Sequence, residues 1–327
     1  MPADVAGIAD DVGESGRREV LVVANEEAGS AERDAVAAAM AILGETEPVE
    51  LVYSRDRAQL DEILDQRDDR RLVVAGGDGS LHAVVAALYA RSELGDCPLG
   101  LIPLGTGNDL ARGLGIPLEP ENAARIIIAG RSQRLDLLVD DTGGVAMNAV
   151  HLGVGASATQ AAGAFKSRLG RFAYPIGALS AGIRAGGWRL VIRVDGEPIA
   201  DSFDRVLMVA VLNGPSIGGG IAHVHPEAAL DDGLAEVVVS GAVNPLARIG
   251  YAVDLARGKH LGRADVQVHR GRHVAVTGDA FLAVADGEID GPMTHRTWTL
   301  KPGVWELAVP RPTGRPPLEH TGNGAEP

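Results

Sequence analysis

Gly76-Gly77-Asp78-Gly79-Ser80 separates a strand-like run, Arg71-Leu72-Val73-Val74-Ala75, from an apolar, alanine-rich helical pattern between Leu81 and Ala90. No other stretch limits the possible folds as strongly. A short apolar run ending in glycines reads as a buried strand, and the switch to helical spacing directly after it marks an α/β corner. Without Cβ atoms the loop amides can face outward, and the helix N-terminus behind them adds positive potential. Such a corner suits a polyanion, with a nucleotide phosphate the first candidate. The bland alternative is an ordinary tight turn.

A second loop of the same kind follows. Pro98-Leu99-Gly100-Leu101-Ile102 is another strand pattern, running into Pro103-Leu104-Gly105-Thr106-Gly107-Asn108-Asp109-Leu110-Ala111-Arg112. Loops at the ends of neighbouring strands face one crevice, where open α/β sheets bind ligands. A GGDG corner alone also occurs in phosphofructokinases and NAD kinases. Together, GGDGS and PLGTGNDLAR make the chain resemble the diacylglycerol kinase catalytic-domain family, which includes bacterial lipid kinases and sphingosine kinases.

Composition sets outer limits. The 327 residues allow two domains, and 46% hydrophobic with 23% charged residues is ordinary globular composition. The single Cys97 excludes an internal disulfide framework and a cysteine-rich zinc site, favouring a reducing compartment. No apolar run is long enough to span a bilayer, and the first residues lack the basic start and apolar core of a secretory signal. The net charge of −14 argues against a nucleic-acid partner and against global attraction to anionic membranes. Between Asp141 and Asp195, however, lie Lys166, Arg168, Arg171, Arg184, Arg189 and Arg193 with no carboxylate, leaving −20 on the rest of the chain. This stretch is either a patch for phosphates or lipid headgroups, or a solvated face paired with acids elsewhere.

Strands and helices alternate through the first half. Strands are expected at Glu19 to Ala24 and Glu50 to Tyr53, and helices at Ala31 to Leu43 (capped by Ser30), Ala58 to Asp65 and Glu119 to Ala129. From about Arg134 short strands dominate: Arg134 to Asp140, Val145 to Leu152, Trp188 to Val194, Val206 to Leu212, Ala235 to Ser240, Val266 to Val268, Val274 to Thr277 and Phe281 to Ala285. Helical insertions are expected near Phe172 to Arg184 and Pro245 to Leu261. The predicted fold is an N-terminal α/β domain with a parallel sheet, followed by a C-terminal antiparallel β-sandwich-like domain. The expected boundaries are a tail over 1–18, a nucleotide-binding domain over 19–135, a β-rich substrate domain over 136–302 and a tail over 311–327. The resemblance implies that residues 303–310, with Trp305 to Val309, return to the first domain as a strand.

The resemblance also implies site residues. The absence of a lysine-bearing Walker loop leaves the glycine corners to hold ATP. They carry over as Gly76, Gly77, Asp78, Gly79 and Ser80, with Gly105, Thr106, Gly107 and Asn108 from the second loop. Asn25 and Gly29 match a family loop after the first strand, but Glu26 stands where proline is usual; Ser54 takes the place of a nucleotide-contacting threonine. Catalysis needs a carboxylate to accept an alcohol proton and Mg2+ to neutralise phosphates. Two Asp-Gly-Glu triplets are available, and either could be a plain hairpin turn. The resemblance selects Asp286 as general base with Glu288 supporting or replacing it; Asp195 reads as a turn. It further implies a water-linked Mg2+ network at Asp78, Asp109 and Asp136, and a structural Mg2+ site using the Asp232 side chain and the carbonyls of Ala229 and Leu234.

Gly153-Val154-Gly155-Ala156-Ser157-Ala158 lacks the later acid of a dinucleotide fingerprint, and Gly214-Pro215-Ser216-Ile217-Gly218 runs into glycines rather than a nucleophile-elbow helix. His223 and His225 read as surface groups. The expected activity is therefore ATP- and Mg2+-dependent phosphorylation of a lipid hydroxyl, diacylglycerol first, at the inner membrane face by a cytoplasmic protein without a membrane span. A homodimer is compatible with the sequence. The rival readings are a soluble-metabolite kinase of phosphofructokinase or NAD kinase type, and a non-catalytic nucleotide- or lipid-binding regulator.

Overall fold

Period-two alternation in the first strands sets the architecture. In β1 (Val20–Asn25), Leu21 and Val23 enter one core while Val20, Val22 and Ala24 enter another. Strand β3 (Arg71–Gly76) divides in the same way, Leu72 and Val74 from Val73 and Ala75. A strand apolar on both faces must be covered on both, as parallel sheets are. Helices α1 (Ser30–Leu43) and α5 (Pro120–Ala129) cover one face, and α2 (Arg57–Asp65) with α3 (Asp78–Ala90) the other. With β2 (Val49–Ser54) and β4 (Leu99–Pro103), the parallel order is β2-β1-β3-β4. The chain turns from one side of β1 to the other at the β1/β3 boundary, the kind of switch point where such sheets open a crevice.

The structure is a computed structural model that describes residues 19–26, 29–153, 186–201, 203–215, 224–225 and 227–311. Lys166, Arg168, Arg171 and Arg184, the helix expected near Phe172, Val154 to Ala158, Ser216 to Gly218, His223 and both expected tails apart from Arg311 lie outside these residues.

After the short α4 (Asp109–Gly113) and α5, the chain is mostly antiparallel: β5 (Arg131–Asp140), β6 (Val145–Ala146), β7 (Ala149–Gly153), β8 (Leu190–Val194), β9 (Glu197–Ile199), β10 (Met208–Leu212), β11 (Ala235–Ser240), β12 (Val266–Gly271), β13 (His273–Ala285) and β14 (Glu288–Val309). Helix α6 (Pro245–Ala256) sits between β11 and β12. Val150, Leu152, Val209, Val211 and Val237 pack against Ile192, Val274, Val276, Phe281 and Trp298 in one core, giving the sandwich-like half.

Several local expectations change. Gly29, not Ser30, is the N-cap of α1, and Ser30 is its first helical residue. Asp56 caps α2, accepting from the Gln59 amide at 2.9 Å. The strand expected over Val145 to Leu152 is two, interrupted at Met147 and Asn148. Those at Val274 to Thr277 and Phe281 to Ala285 are one, with a register shift between them.

Strand β14 is 22 residues long and joins the two halves. Its first part pairs antiparallel with β13, its last part antiparallel with β5, and Leu307 pairs in parallel with Leu99 of β4. Trp305, on this last part, is 1% exposed, and its Nε1–H donates to the Asp136 carbonyl at 3.0 Å. Trp305→Ala is expected to destabilise the protein by about 3–5 kcal/mol through cavity formation, read as a lower urea unfolding midpoint.

Candidate functional site

The two glycine loops touch through their backbones. A Cβ on Gly105 would stand 2.6 Å from the Gly77 Cα, and one on Gly77 would stand 2.9 Å from the Gly105 Cα. Only paired glycines allow this approach. Asn108 fastens the second loop: Oδ1 accepts from the Gly105 amide at 3.0 Å, and Nδ2 donates to the Gly105 carbonyl at 2.7 Å. Its φ of 52° places it in the left-handed region, which asparagine tolerates. Asp78 crosses between loops and caps α4, with Oδ2 accepting from Asp109 N–H at 3.1 Å and Oδ1 from Leu110 N–H at 3.4 Å. Burial raises the Asp78 pKa, with neighbouring Asp109 adding to the effect and the backbone donors opposing it.

A cavity of about 510 Å3 opens at the β1/β3 switch. Asn25 and Ser54 line it from the ends of β1 and β2, Gly79 and Ser80 from the first turn of α3, and Glu288 from the β13–β14 hairpin. A Cβ on Gly79 would meet nothing within 4 Å, so this corner leaves room for a ligand beside the helix N-terminus. Glu26 is exposed and does not line the cavity. Gly105 and Asn108 face a different cavity of about 300 Å3, beside Ala31, Glu32 and Arg112. Thr106 is exposed, and the Gly107 carbonyl accepts from Arg112 Nε at 2.9 Å. The loops are neighbours, yet their described linings belong to two cavities, because their contact fills the space between them.

Asp286 occupies a tight turn with φ 47°. Its carboxylate accepts three amides of the break between β6 and β7: Met147 N–H on Oδ2 at 2.5 Å, and Asn148 and Ala149 N–H on Oδ1 at 3.0 and 3.1 Å. Desolvation nevertheless holds its pKa above the ordinary value of 3.8, against the pull of those amides and of His82. His82, one turn into α3, lines the larger cavity and shares a hydrogen bond of 3.0 Å with the Val145 carbonyl. Asp286 is therefore both the hairpin residue of the plain reading and a constrained, desolvated carboxylate; its neighbours His82 and Glu288, not Asp286 itself, line the larger cavity. Asp195 is a turn residue whose carboxylate accepts Arg272 and His273 amides.

The acids expected to act through Mg2+ divide into two places. Asp78 and Asp109 adjoin at the loops. Asp136 accepts Gly233 N–H at 2.7 Å and Gly303 N–H at 2.8 Å, tying β5 to the turn before β11 and to β14. Burial raises its pKa, with those amides opposing the shift. No group of three or more His, Cys, Asp or Glu side chains among the described residues is arranged to hold a metal. At the expected structural site, Asp232 accepts from Leu234 N–H at 3.0 Å and is paired with Arg270, while the Gly233 carbonyl accepts from Arg272 Nε at 3.0 Å. Two guanidinium groups, those of Arg270 and Arg272, thus lie at the place expected for this cation. Half-buried Ala229 precedes Leu230, whose carbonyl accepts from the Asp136 amide at 2.8 Å.

Sequence reasoning missed His82, Asn148 and Asn213. Asn213 is fully buried and donates from Nδ2 to the Asp136 and Met147 carbonyls, fixing the break that holds Asp286. His82 left a signal, as the one titratable side chain between Leu81 and Leu88 in an otherwise apolar run; Asn213 stands at the head of a glycine-rich stretch that resembles a family feature but gives it no role, and Asn148 left no signal.

Both halves of the chain are similar to known proteins. Residues 19–139 match the model of the diacylglycerol kinase catalytic domain, and residues 148–309 that of the YegS C-terminal NAD kinase beta sandwich-like domain. A probable lipid kinase YegS-like protein of Stenotrophomonas maltophilia is 36% identical over 51% of this chain and 55% of its own length. A diacylglycerol kinase of Staphylococcus carnosus is 28% identical over 75% and 78%. The chain thus spans little more than half of the first relative. A putative diacylglycerol kinase from Bacillus anthracis str. Sterne superposes with a TM-score of 0.70 over 90% of this chain and 97% of its own, at 19% identity, a likeness of fold. Gly105→Ala, which forces the two loops apart, is expected to lower stability by about 1–3 kcal/mol, measured by urea unfolding.

Proposed function

We propose, for a chain that belongs to the diacylglycerol kinase catalytic-domain family, that it transfers the γ-phosphate of ATP to a lipid hydroxyl, diacylglycerol being the first candidate acceptor. The observation that carries this reading is the constrained Asp286 carboxylate, which feels the charge of His82, a residue that lines the same cavity as Gly79, Ser80 and Glu288. The phosphates would lie on the α3 N-terminus, where Gly79 leaves its surroundings open. Asn25 and Ser54 would contact the nucleotide from the far wall. Mg2+ bound with the phosphates would neutralise their charge, and it characteristically needs only one or two protein carboxylates. Asp78 and Asp109 are the carboxylates at the loops that could hold it, directly or through water.

An ionised carboxylate has about four lone-pair sites, and three on Asp286 are taken by amides. The remaining one, on Oδ2, can accept the alcohol proton as the oxygen attacks phosphorus. The amides orient the group, while burial keeps its basicity above that of an exposed aspartate. Glu288 would support this step or take the proton in its place. The match of residues 19–139 to the diacylglycerol kinase catalytic-domain model and the Gly105-Thr106-Gly107-Asn108-Asp109 loop favour this over a soluble-metabolite kinase. No helix among the described residues is long and apolar enough to cross a membrane; a cytoplasmic protein working at the membrane surface fits the proposed acceptor.

Radiolabelled ATP should mark lipid in vesicles, and neither sugar phosphate nor NAD. Asp286→Asn should lower kcat by about 10²–10⁴-fold, the usual share of a general base, with nucleotide binding retained by calorimetry. Full activity in that variant, or labelling confined to a soluble acceptor, would reject the reading. Because the Asp286 pKa is raised, protonation removes the base sooner as pH falls. The acid limb of kcat/KM should therefore lie above pH 3.8 and be absent from the residual rate of Asp286→Asn.

A further inference from the structure

Helix α6 covers the outside of the β-rich half with Ala247, Tyr251 and Leu255, which pack around Met208, Ala210 and Val238. Its other side has no cover. Leu246, Ile249 and Val253 are 82%, 57% and 40% exposed, and Ala252 and Ala256 are exposed with them. Positions 246, 249, 253 and 256 follow helical spacing and fall in one stripe. Scattered exposed apolar residues are ordinary, but a continuous stripe marks a contact surface.

We infer that this stripe is the face by which the protein lies on an anionic lipid surface, an inference that rests on the lipid-kinase reading for the source of its substrate. Charge favours that occupant. The exposed residues of α6 include no carboxylate, since Asp254 is half-buried and accepts from Arg263 at 2.8 Å. Past the C-terminal end of the helix, Arg257 and Lys259 are exposed. An apolar face with cations at its end matches an interfacial helix, its side chains among the acyl chains and its cations at the phosphates. A second copy fits less well. The stripe is about 17 Å long and about 10 Å wide, a small part of the roughly 800 Å2 per partner of a stable interface.

Full-length protein is sedimented with vesicles of phosphatidylcholine mixed with phosphatidylglycerol, and with phosphatidylcholine alone. The wild type should bind the mixed vesicles more tightly. Leu246→Ser with Ile249→Ser should weaken binding to both by about tenfold or more. Arg257→Gln with Lys259→Gln should weaken binding to the mixed vesicles alone, by several-fold. All these side chains are exposed, and unchanged urea unfolding confirms that the variants fold. Phosphorylation of a short-chain, monomerically dissolved diacylglycerol should be unaffected by the serine pair, whereas phosphorylation in vesicles should fall with binding. Absence of lipid phosphorylation would defeat the functional reading while leaving the sedimentation result intact. The docking proposal is overturned if the wild type does not bind, or if the serine pair binds as the wild type does. It is equally overturned if sedimentation velocity shows a wild-type dimer that the serine pair dissociates without any change in vesicle binding.

Discussion

The backbone pairing of β14 is the constraint on which the site depends. One end of this strand is fixed to β13 and the other to β5 and β4, so the hairpin carrying Asp286 and Glu288 has a set position relative to the nucleotide-type sheet. Side chains reinforce it where the halves meet. The Asp136 carboxylate holds the Gly233 and Gly303 amides, its carbonyl accepts from Trp305 and Asn213, and Asn213 holds Met147. Met147 then donates to Asp286. An unbroken chain of hydrogen bonds therefore runs from the strand joining the halves to the carboxylate assigned the chemistry.

In this network both Asp136 carboxylate oxygens serve backbone amides at a junction of three segments. Buried carboxylates are stable when such donors surround them, and the amides offset part of the desolvation that still raises its pKa. Around Asp232, Arg270 pairs with the carboxylate and Arg272 donates to the Gly233 carbonyl.

The α/β half was legible because its signals are local. Apolar runs of strand length, glycines at their ends and helical spacing beyond them placed β1 to β4 and α1, α2, α3 and α5 within a few residues. The glycine corners were legible for the same reason, since nothing but glycine permits the Gly77–Gly105 approach. Boundaries failed where tertiary contacts decide them. The break at Met147 and Asn148 exists because its amides turn to a carboxylate distant in sequence, and β13 continues through a register shift because β14 and β8 pair along its length.

The residues alone determined the alternation of strands and helices and the two glycine corners, because each depends on neighbours a few positions away; they left both Asp-Gly-Glu triplets open, and only the resemblance to a known family chose Asp286. Tertiary structure decided which carboxylates support the backbone and which stand beside a cavity. It also divided the second loop's lining from the first and surrounded Asp286 with three amides and an imidazole. Those outcomes turn on burial and on hydrogen-bond partners supplied by remote segments, which sequence spacing does not encode.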